Sequence, residues 1–234
     1  MAQKKLQRFT DIKTFPNVLE YPVAMKGKWR GFFKNNNPIV LELACGRGEY
    51  TVGLAKLFPQ QNLIGLDVKG NRMYIGAKKC LSENIGNAAF LRTQIEKLPD
   101  YFDPGEVDEI WITFPDPQLR ISKAKKRLTH PRFLRLYRQV LKPGGPIHLK
   151  TDSPDLNHFT KQVASLYGLA IIESSDDVYA RDEIRPELKI ITHYESLDIA
   201  QSRKIHYLKF TLPAEIKNID DQLQEILRHD EQLG

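Results

Sequence analysis

The hydrophobic residues of this chain occur mostly in short continuous runs, separated by longer segments with helical spacing. Buried strands are predicted by four early runs, which are IVLELA (39–44), NLIGLD (62–67), AAFLR (88–92) and VDEIWITF (107–114). Two later strands are predicted at PIHLKTD (146–152) and KIHYLKFTL (204–212). Helices are predicted at 45–59, a segment that begins with a glycine turn, and at 71–84, 131–141 and 154–168. This alternation of strands and helices favours a doubly wound, parallel α/β sheet.

The two ends of the chain differ from this pattern and indicate three parts. Residues 1–37 are predicted to form an irregular, basic N-terminal arm that closes with the linker-like FFKNNNP. The domain itself is predicted at 38–212. Residues 213–234 form an acidic tail in which a short amphipathic helix is predicted by Ile216, Ile219, Leu223, Ile226 and Leu227. We favour packing of this helix against the domain over binding to a partner, and both remain open.

Composition excludes several classes of protein. With 234 residues, the chain is long enough for one sizeable core. Its two cysteines, Cys45 and Cys80, lack metal-ligand spacing and are too few for a disulfide framework. No apolar run approaches the length of a membrane span, and the N-terminus lacks the apolar core of a signal peptide. We therefore expect a cytoplasmic protein with no metal and no membrane partner. A monomer and a homodimer are both open, because the sequence does not give the oligomeric state.

The net charge of +6 is distributed unevenly along the chain. Between Pro117 and Thr151 there are ten lysine or arginine residues and no acidic residue. The first 34 residues contain eight basic and two acidic residues, whereas residues 213–234 contain six acidic and two basic ones. Such segregation favours a polyanionic partner for the middle of the chain. A solvated basic face is the alternative.

Polar residues after the first two predicted strands indicate a cofactor site. Gly46 and Gly48 allow a tight turn with close backbone approach, and Glu42 lies just before them. Asp67 ends the next strand, 21 residues after Gly46, a spacing at which a carboxylate accepts hydrogen bonds from ribose hydroxyls. Because Thr51 replaces the third glycine of the dinucleotide motif, S-adenosylmethionine fits better than a dinucleotide. For the glycine turn alone, a plain strand–helix connection is the alternative.

The segment ITFPDPQLR (112–120) places Asp116 between two prolines at the end of a predicted strand. Both prolines lack a backbone N–H, and each restricts the preceding residue to extended geometry. We therefore expect Asp116 to be held rigidly at the cofactor rim, in one cavity with the glycine turn and Asp67. Asp152 also follows a strand, where contact with a substrate and capping of the next helix are both open.

Four motifs occur in the order FPDP (114–117), KKRL (125–128), LKTD (149–152) and ITHYE (191–195). Together they resemble the bacterial tRNA (guanine-N7)-methyltransferases, a family of class I S-adenosylmethionine-dependent enzymes, from about Pro38 to Leu212. The resemblance implies a Rossmann-like class I methyltransferase fold, with a doubly wound, mostly parallel sheet and an antiparallel late strand. It also implies transfer of a methyl group from S-adenosyl-L-methionine to N7 of guanosine 46 in the variable loop of tRNA.

The resemblance also implies roles for particular residues. It implies that the cofactor is contacted by Glu42, Asp67 and Gln94, with Asp116 as the catalytic carboxylate beside it. The substrate residues that it implies are Arg120, Asp152, Thr192, His193, Tyr194 and Glu195. The chain departs from the family pattern in three respects, because the family usually has a carboxylate at Gln94, a lysine at Arg120, and an aromatic residue and histidine at Gln118 and Leu119.

The chemistry of guanine sets the task of these residues. Guanine N7 carries a lone pair and no proton, so its methylation needs positioning rather than a strong base. We therefore assign Asp116 to positioning and to stabilising the cationic product. The basic run beyond it, including Lys125, Lys126 and Arg127, is expected to contact RNA phosphates, and Tyr194 is the better candidate for stacking on a flipped base. A nicotinamide-dependent oxidoreductase, a non-catalytic RNA-binding protein with this fold, and a methyltransferase for another RNA position or a small molecule are the alternatives.

Overall fold

The computed structural model describes residues 2–197, 201 and 203–233. The strands in this part of the chain are β1 (Val18–Glu20), β2 (Ile39–Leu43), β3 (Asn62–Asp67), β4 (Ala88–Arg92), β5 (Glu109–Thr113), β6 (Pro146–Thr151), β7 (Ala170–Ser175) and β8 (His206–Thr211). The α-helices are α1 (Ala2–Asp11), α2 (Trp29–Phe33), α3 (Glu49–Leu57), α4 (Gly70–Ser82), α5 (Leu98–Tyr101), α6 (Pro131–Val140), α7 (Pro154–Tyr167) and α8 (Asp220–Leu233). Each of the six predicted strands and four predicted helices is present, with ends that differ by a few residues.

The strands form one 8-stranded sheet in the order β1-β4-β3-β2-β5-β6-β8-β7. All neighbouring pairs are parallel except those of β8, which runs antiparallel to β6 and to β7. The predicted fold class is therefore confirmed. Strand order reverses between β3 and β5, which both pair with β2, and Leu43 of β2 is in register with Leu66 and Ile112. The carboxyl ends of these three strands thus form one edge, where open α/β sheets bind ligands.

The central strands are buried on both faces because helices cover both sides of the sheet. Along β2, Leu41 and Leu43 belong to one core, whereas Val40 belongs to the other. This alternation follows from the two-residue period of a strand. The first core is closed by α5, α6, α7 and α8, and the second by α3 and α4. A continuous apolar sequence is what a strand between two helical layers requires.

The irregular structure predicted for residues 1–37 is wrong for the part that the structure describes. Strand β1 extends the sheet beside β4, where Leu19 is in register with Leu91. Trp29 of α2 is fully buried and stacks on Phe102, with ring centroids 5.3 Å apart. The burial of Trp29 and the pairing of β1 come from contacts with residues far along the chain, which local spacing does not reveal. The division of the chain at residue 38 stays a prediction.

The C-terminal helix packs against the domain as predicted. Helix α8 begins at Asp220, later than the apolar spacing indicated, and buries Leu223 and Leu227 in the first core. Arg135 of α6 donates to Asp220 at 2.6 Å, and the Tyr167 hydroxyl of α7 donates to it at 2.7 Å. Strand β7 was not predicted from the sequence. It lies at the sheet edge, where Ile171 and Ile172 are exposed, so it lacks the pattern of a strand buried on both faces.

The described residues contain neither a membrane-spanning helix nor a metal-binding cluster. None of the helices there has both the length and the apolar character that crossing a membrane demands. Nor does that part of the chain contain a group of three or more histidine, cysteine, aspartate or glutamate side chains able to hold a metal ion.

Candidate active site

The glycine turn after β2 passes through three left-handed positions. Ala44, Gly46 and Gly48 have φ angles of 56°, 54° and 74°. A Cβ atom added to Gly48 would lie 2.5 Å from the ring of Phe90, so the turn is packed directly on β4. The amide of Gly46 donates to Oδ2 of Asp67 at 3.0 Å. The structure thus brings the turn and the carboxylate that ends β3 into direct contact.

Glu42 supports this turn from beneath. It is buried, with 2% of its surface exposed. Its Oε2 accepts hydrogen bonds from the amide of Thr51, at 2.7 Å, and from the Thr51 hydroxyl, while its Oε1 accepts from the Thr113 hydroxyl at 2.9 Å. Burial raises the pKa of Glu42 to about 7, although these donors oppose the rise. Glu42 therefore connects β2, α3 and β5. Thr51 is a residue of the site that the sequence analysis used only to show that the third glycine of the dinucleotide motif is absent.

A cavity of about 380 Å³, which we name the rim cavity, opens at the carboxyl ends of β2, β3 and β4. Ala44, Asp67, Val68, Thr93 and Gln94 line one side of it. Lys126, Leu128, Arg132 and Phe133 line the other side, and the sequence carried no signal for them beyond the basic run.

Two polar groups of the rim cavity are placed to receive a ligand. Asp67 accepts from the amides of Gly46 and Lys69, and each carboxylate oxygen can accept further hydrogen bonds from ribose hydroxyls. The hydroxyl of Thr93 is buried without a hydrogen-bond partner in the described structure, which is costly unless a ligand supplies one. With the apolar side chains of Val68 and Phe133 nearby, the cavity fits a nucleoside.

Asp116 lies in a strained loop at the same edge of the sheet. Phe114 and Gln118, which flank it, have φ angles of 46° and 48°. Such conformations cost about 1–3 kcal/mol each for residues other than glycine, and persist only where the surroundings impose them. The Asp116 side chain is exposed, and its Oδ1 accepts from the amide of Gln118 at 3.0 Å. Because the carboxylate turns back to its own loop, Asp116 does not line the rim cavity, contrary to our expectation.

Arg127 holds the Asp116 loop in place. Its guanidinium donates to the carbonyl oxygens of Pro117, at 3.2 Å, Gln118, at 3.1 Å, and Leu119, at 3.2 Å. It also stacks over Phe159, 4.5 Å from the ring centroid. Only 5% of Arg127 is exposed, and this burial lowers its pKa. The prediction that Arg127 contacts RNA phosphates is therefore wrong, because its donors face the chain's own carbonyls.

The segment Thr192–Glu195 is attached to the sheet by a buried ion pair. Lys150, near the end of β6, is fully buried and donates to the Glu195 carboxylate at 3.0 Å. It also donates to the carbonyls of Leu188, at 2.9 Å, and Ile190, at 3.0 Å. Burial lowers the pKa of Lys150, and Glu195 opposes that shift. Glu195 is thus bound to Lys150 in this structure.

The remaining predicted residues lie around the same edge of the sheet. Asp152 is half-buried after β6, and the cap of α7 is Ser153, whose hydroxyl accepts from the amide of Leu156 at 3.2 Å. Ser153, and not Asp152, therefore occupies the cap position of α7. Exposed cations follow the Asp116 loop at Arg120, Lys123, Lys125 and Lys126. His193 and Tyr194 line a second, smaller cavity.

Comparison with known proteins decides the family. A family model described as "Putative methyltransferase" matches residues 36–208. A tRNA (guanine-N(7)-)-methyltransferase of Porphyromonas gingivalis is 51% identical over 213 residues, which cover 86% of this chain and 86% of the relative. The chain belongs to the tRNA (guanine-N(7)-)-methyltransferase family. The family member of Bacteroides fragilis is 47% identical over 224 residues, covering 92% of this chain and 88% of its own length.

Solved structures of other methyltransferases share the fold. The 16S rRNA methyltransferase KamB superposes with a TM-score of 0.61 at 18% identity, covering 84% of this chain and 98% of its own. The 30S ribosomal A1408 methyltransferase from an uncultured bacterium gives a TM-score of 0.60 at 19% identity, with coverage of 80% and 93%. At such identities the likeness concerns the fold alone. In this member of the tRNA (guanine-N(7)-)-methyltransferase family, the rim cavity and the Asp116 loop occupy the edge at which that fold binds ligands.

Proposed function

We propose that this chain transfers a methyl group from S-adenosylmethionine to N7 of guanosine 46 in the variable loop of tRNA. The observation that carries the proposal is the 51% identity, over 86% of the chain, to a tRNA (guanine-N(7)-)-methyltransferase. The nucleoside-sized cavity at the carboxyl ends of β2, β3 and β4, next to the reversal of strand order between β2 and β5, supports it independently. An oxidoreductase is disfavoured by Thr51, which takes the place of the third glycine of the dinucleotide motif and binds Glu42 instead.

The rim cavity is where we place the cofactor. Asp67 would accept hydrogen bonds from the ribose, and the hydroxyl of Thr93 would gain the partner that it lacks. Gln94 would contact the adenine with an amide, and Gly46 allows the close approach of the backbone. Glu42 acts from behind the turn by holding Thr51 and Thr113. When bound, S-adenosylmethionine supplies an electrophilic methyl group.

Asp116 would position the guanine. An exposed carboxylate can accept hydrogen bonds from the N1–H and N2–H of guanine, a pair of donors that no other base presents together. Alignment of N7 with the methyl group can lower the barrier by about 7–11 kcal/mol in favourable cases. The methylated base is cationic, so a fixed negative charge beside it stabilises the developing charge. The hydrogen bonds from Arg127 to three carbonyl oxygens of the Asp116 loop supply the rigidity that such positioning requires.

The tRNA would lie across the exposed cations beside this loop. Arg120, Lys123, Lys125 and Lys126 are all exposed, and within the described residues none forms an ion pair with a carboxylate. Such contacts to phosphates position a nucleic acid without selecting a base. Asp152 is proposed to contact the substrate near the target base. Thr192 and Glu195, whose polar atoms bond within the chain, are proposed to act on the substrate by holding the segment that carries His193 and Tyr194.

The test is to incubate the purified chain with radiolabelled S-adenosylmethionine and unmodified tRNA, then to cleave at N7-methylguanosine with borohydride and aniline. We expect a single cleavage at guanosine 46, and no label in a tRNA with adenosine at that position. Label at another nucleotide would mean a methyltransferase for a different RNA position. Binding of tRNA with no incorporation of label would mean a non-catalytic RNA-binding protein.

A further inference from the structure

A second cavity, which we name the arginine cavity, lies on the other side of the glycine turn. It has a volume of about 280 Å³. Four separate segments contribute to it, namely α1, the glycine turn, the first turns of α4 and the segment Thr192–Glu195. The side chains that line it include Arg8, Arg47, Asn71, Arg72, His193 and Tyr194.

The three arginines of this cavity lack acidic partners. In the described part of the chain, no carboxylate lies within 4.0 Å of Arg8, Arg47 or Arg72, whereas Arg92 pairs with Glu20 at 2.8 Å. The cation of Arg72 lies 5.5 Å from the ring centroid of Tyr194. Three guanidinium groups around one cavity repel each other, and an anionic ligand removes that cost.

The position of the cavity connects it to the reacting groups. A Cβ atom added to Gly46 would lie 3.6 Å from Cε2 of Tyr194, so the Tyr194 ring covers the glycine turn. The same Gly46 binds Asp67 of the rim cavity through its amide. The backbone amide of His193 lies 3.4 Å from a carboxylate oxygen of Glu49 at the start of α3. An anion in the arginine cavity would therefore sit next to the cofactor site, separated from it by one turn of backbone.

We propose that the arginine cavity binds one backbone phosphate of the RNA substrate, adjacent to the nucleoside that is methylated. This inference rests on the proposed function. A phosphodiester group has two free oxygens, which suit the paired donors of guanidinium groups. The rings of His193 and Tyr194 in the same wall offer a surface for stacking of a neighbouring base. The arginine cavity thus holds the RNA on one side of the glycine turn, and the exposed cations after Asp116 hold it elsewhere on this edge.

The experiment compares a double variant, Arg47→Gln with Arg72→Gln, with the wild-type chain. Dissociation constants for unmodified tRNA are measured without cofactor over a range of salt concentrations. We expect binding to weaken about tenfold and the slope of log K against log salt to fall by about 0.7–0.9, the value for one phosphate. The double variant Arg47→Lys with Arg72→Lys, which keeps both charges, should recover most of the slope. The matched control is Arg30→Gln, an exposed arginine on α2 outside the cavity, which should leave the slope unchanged.

Kinetics separate this inference from a structural effect and from the proposed function. In the double variant the KM for tRNA should rise, while kcat and the KM for S-adenosylmethionine stay within about twofold of wild type. An unchanged salt slope, or a rise confined to the KM for S-adenosylmethionine, would overturn the inference and leave the proposed function standing. If the wild-type chain methylates no guanosine N7, the proposed function fails. The salt slope in the absence of cofactor still tests the phosphate site.

Discussion

At the scale of single residues, two buried cations, Arg127 and Lys150, direct their charge at main-chain carbonyls. Arg127 donates to three consecutive residues of the Asp116 loop, and Lys150 to Leu188 and Ile190. A buried charge is tolerated only when its donors are satisfied, so each fixes the backbone segment that it contacts. Both lie in the stretch that has ten basic residues and no acidic residue. A high local charge therefore does not mean that every cation in it faces solvent.

The first prediction concerns Arg127. Replacing it by lysine keeps the charge but removes the guanidinium group that donates to three carbonyl oxygens. The Asp116 loop should therefore lose its fixed position. We expect kcat to fall by tenfold or more, and stability to fall by about 2 kcal/mol. The dissociation constant for tRNA should stay near the wild-type value. The neighbouring variant Lys125→Gln, at an exposed position, should do the reverse, weakening tRNA binding while leaving kcat unchanged. If Arg127→Lys weakened tRNA binding and left kcat normal, Arg127 would act in RNA binding and not in fixing the Asp116 loop.

The second prediction concerns Asp116. We expect Asp116→Asn to lower kcat about 10²-fold or more, because the amide keeps the shape and loses the negative charge beside the cationic product. Binding of tRNA should be largely unaffected, since phosphates and not this carboxylate carry most of the affinity. Single-turnover methylation and equilibrium binding measure the two effects separately. An Asp116→Asn variant with wild-type kcat would refute the assigned role.

The third prediction concerns Glu42 and pH. Its pKa is raised from 4.5 to about 7 in the folded chain, so between these values the folded state holds a proton that the unfolded state has lost. The stability contributed by this group is full below the unfolded pKa and is lost as the pH rises through the folded pKa. Glu42→Gln removes the titrating group, so its stability should not show this loss. The free energy of unfolding of the variant relative to that of wild type should therefore rise between pH 5 and pH 8, by up to roughly 3 kcal/mol.

Urea unfolding of both chains at pH 5 and at pH 8 measures this difference. The matched control is Glu215→Gln, an exposed glutamate, which should follow the wild-type pH dependence. A constant difference in stability between Glu42→Gln and wild type at the two pH values would show that Glu42 does not titrate in this range.

At the scale of elements, the Lys150–Glu195 pair couples β6 to a segment without regular strands or α-helices. The segment from Pro186 to Leu197 contains only short 3₁₀ turns, yet it carries several of the predicted substrate residues. Its attachments include the Lys150 ion pair at 3.0 Å and the hydrogen bond from the Glu195 amide to Thr192, also at 3.0 Å. This segment is therefore held partly by one buried side chain of the sheet, in addition to the burial of Leu188 in the second core.

The fourth prediction follows from this coupling. Glu195→Gln leaves Lys150 buried without its counter-ion, and breaking a buried pair in this way typically costs about 3–5 kcal/mol. We expect amide hydrogen exchange in residues 186–197 to quicken more than in the central strands. The control is Asp176→Asn, which breaks the exposed pair with Lys161 at 2.7 Å and should cost less than about 1 kcal/mol. Equal protection of 186–197 in Glu195→Gln and wild type would contradict the coupling.

At the scale of the whole molecule, charge is segregated between surfaces and not only along the sequence. Several cations of the basic stretch are neutralised by acidic groups from other parts of the chain, such as Arg135 by Asp220 at 2.6 Å and Lys142 by Asp108 at 3.3 Å. The cations Lys123 and Lys125, which form no ion pair within the described residues, remain on the surface after the Asp116 loop. The effective positive face is therefore smaller than the linear count of basic residues indicates.

The fifth prediction tests this face. Replacing Lys123 and Lys125 together by glutamine should weaken tRNA binding and reduce the slope of log K against log salt by about 0.7–0.9 for each phosphate that then lacks a lysine partner. Stability should change by less than about 0.5 kcal/mol, because both side chains are exposed. Replacing Lys34 and Lys217, which are also exposed and line neither cavity, provides the matched control and should leave the slope unchanged. Equal slopes in both double variants would mean that the face after Asp116 points to solvent.

The amino-acid sequence by itself determined the sheet class, the positions of its central strands and the carboxylates that follow them. Periods of two and 3.6 residues, glycine turns and proline restrictions act within a few residues, so Asp67 and Asp116 could be placed at strand ends without coordinates. Only the tertiary structure decided which cations are buried, that Thr51 binds Glu42, and that α1 brings Arg8 to the glycine turn. These features depend on contacts between segments far apart in the chain, and local patterns carry no information on such contacts.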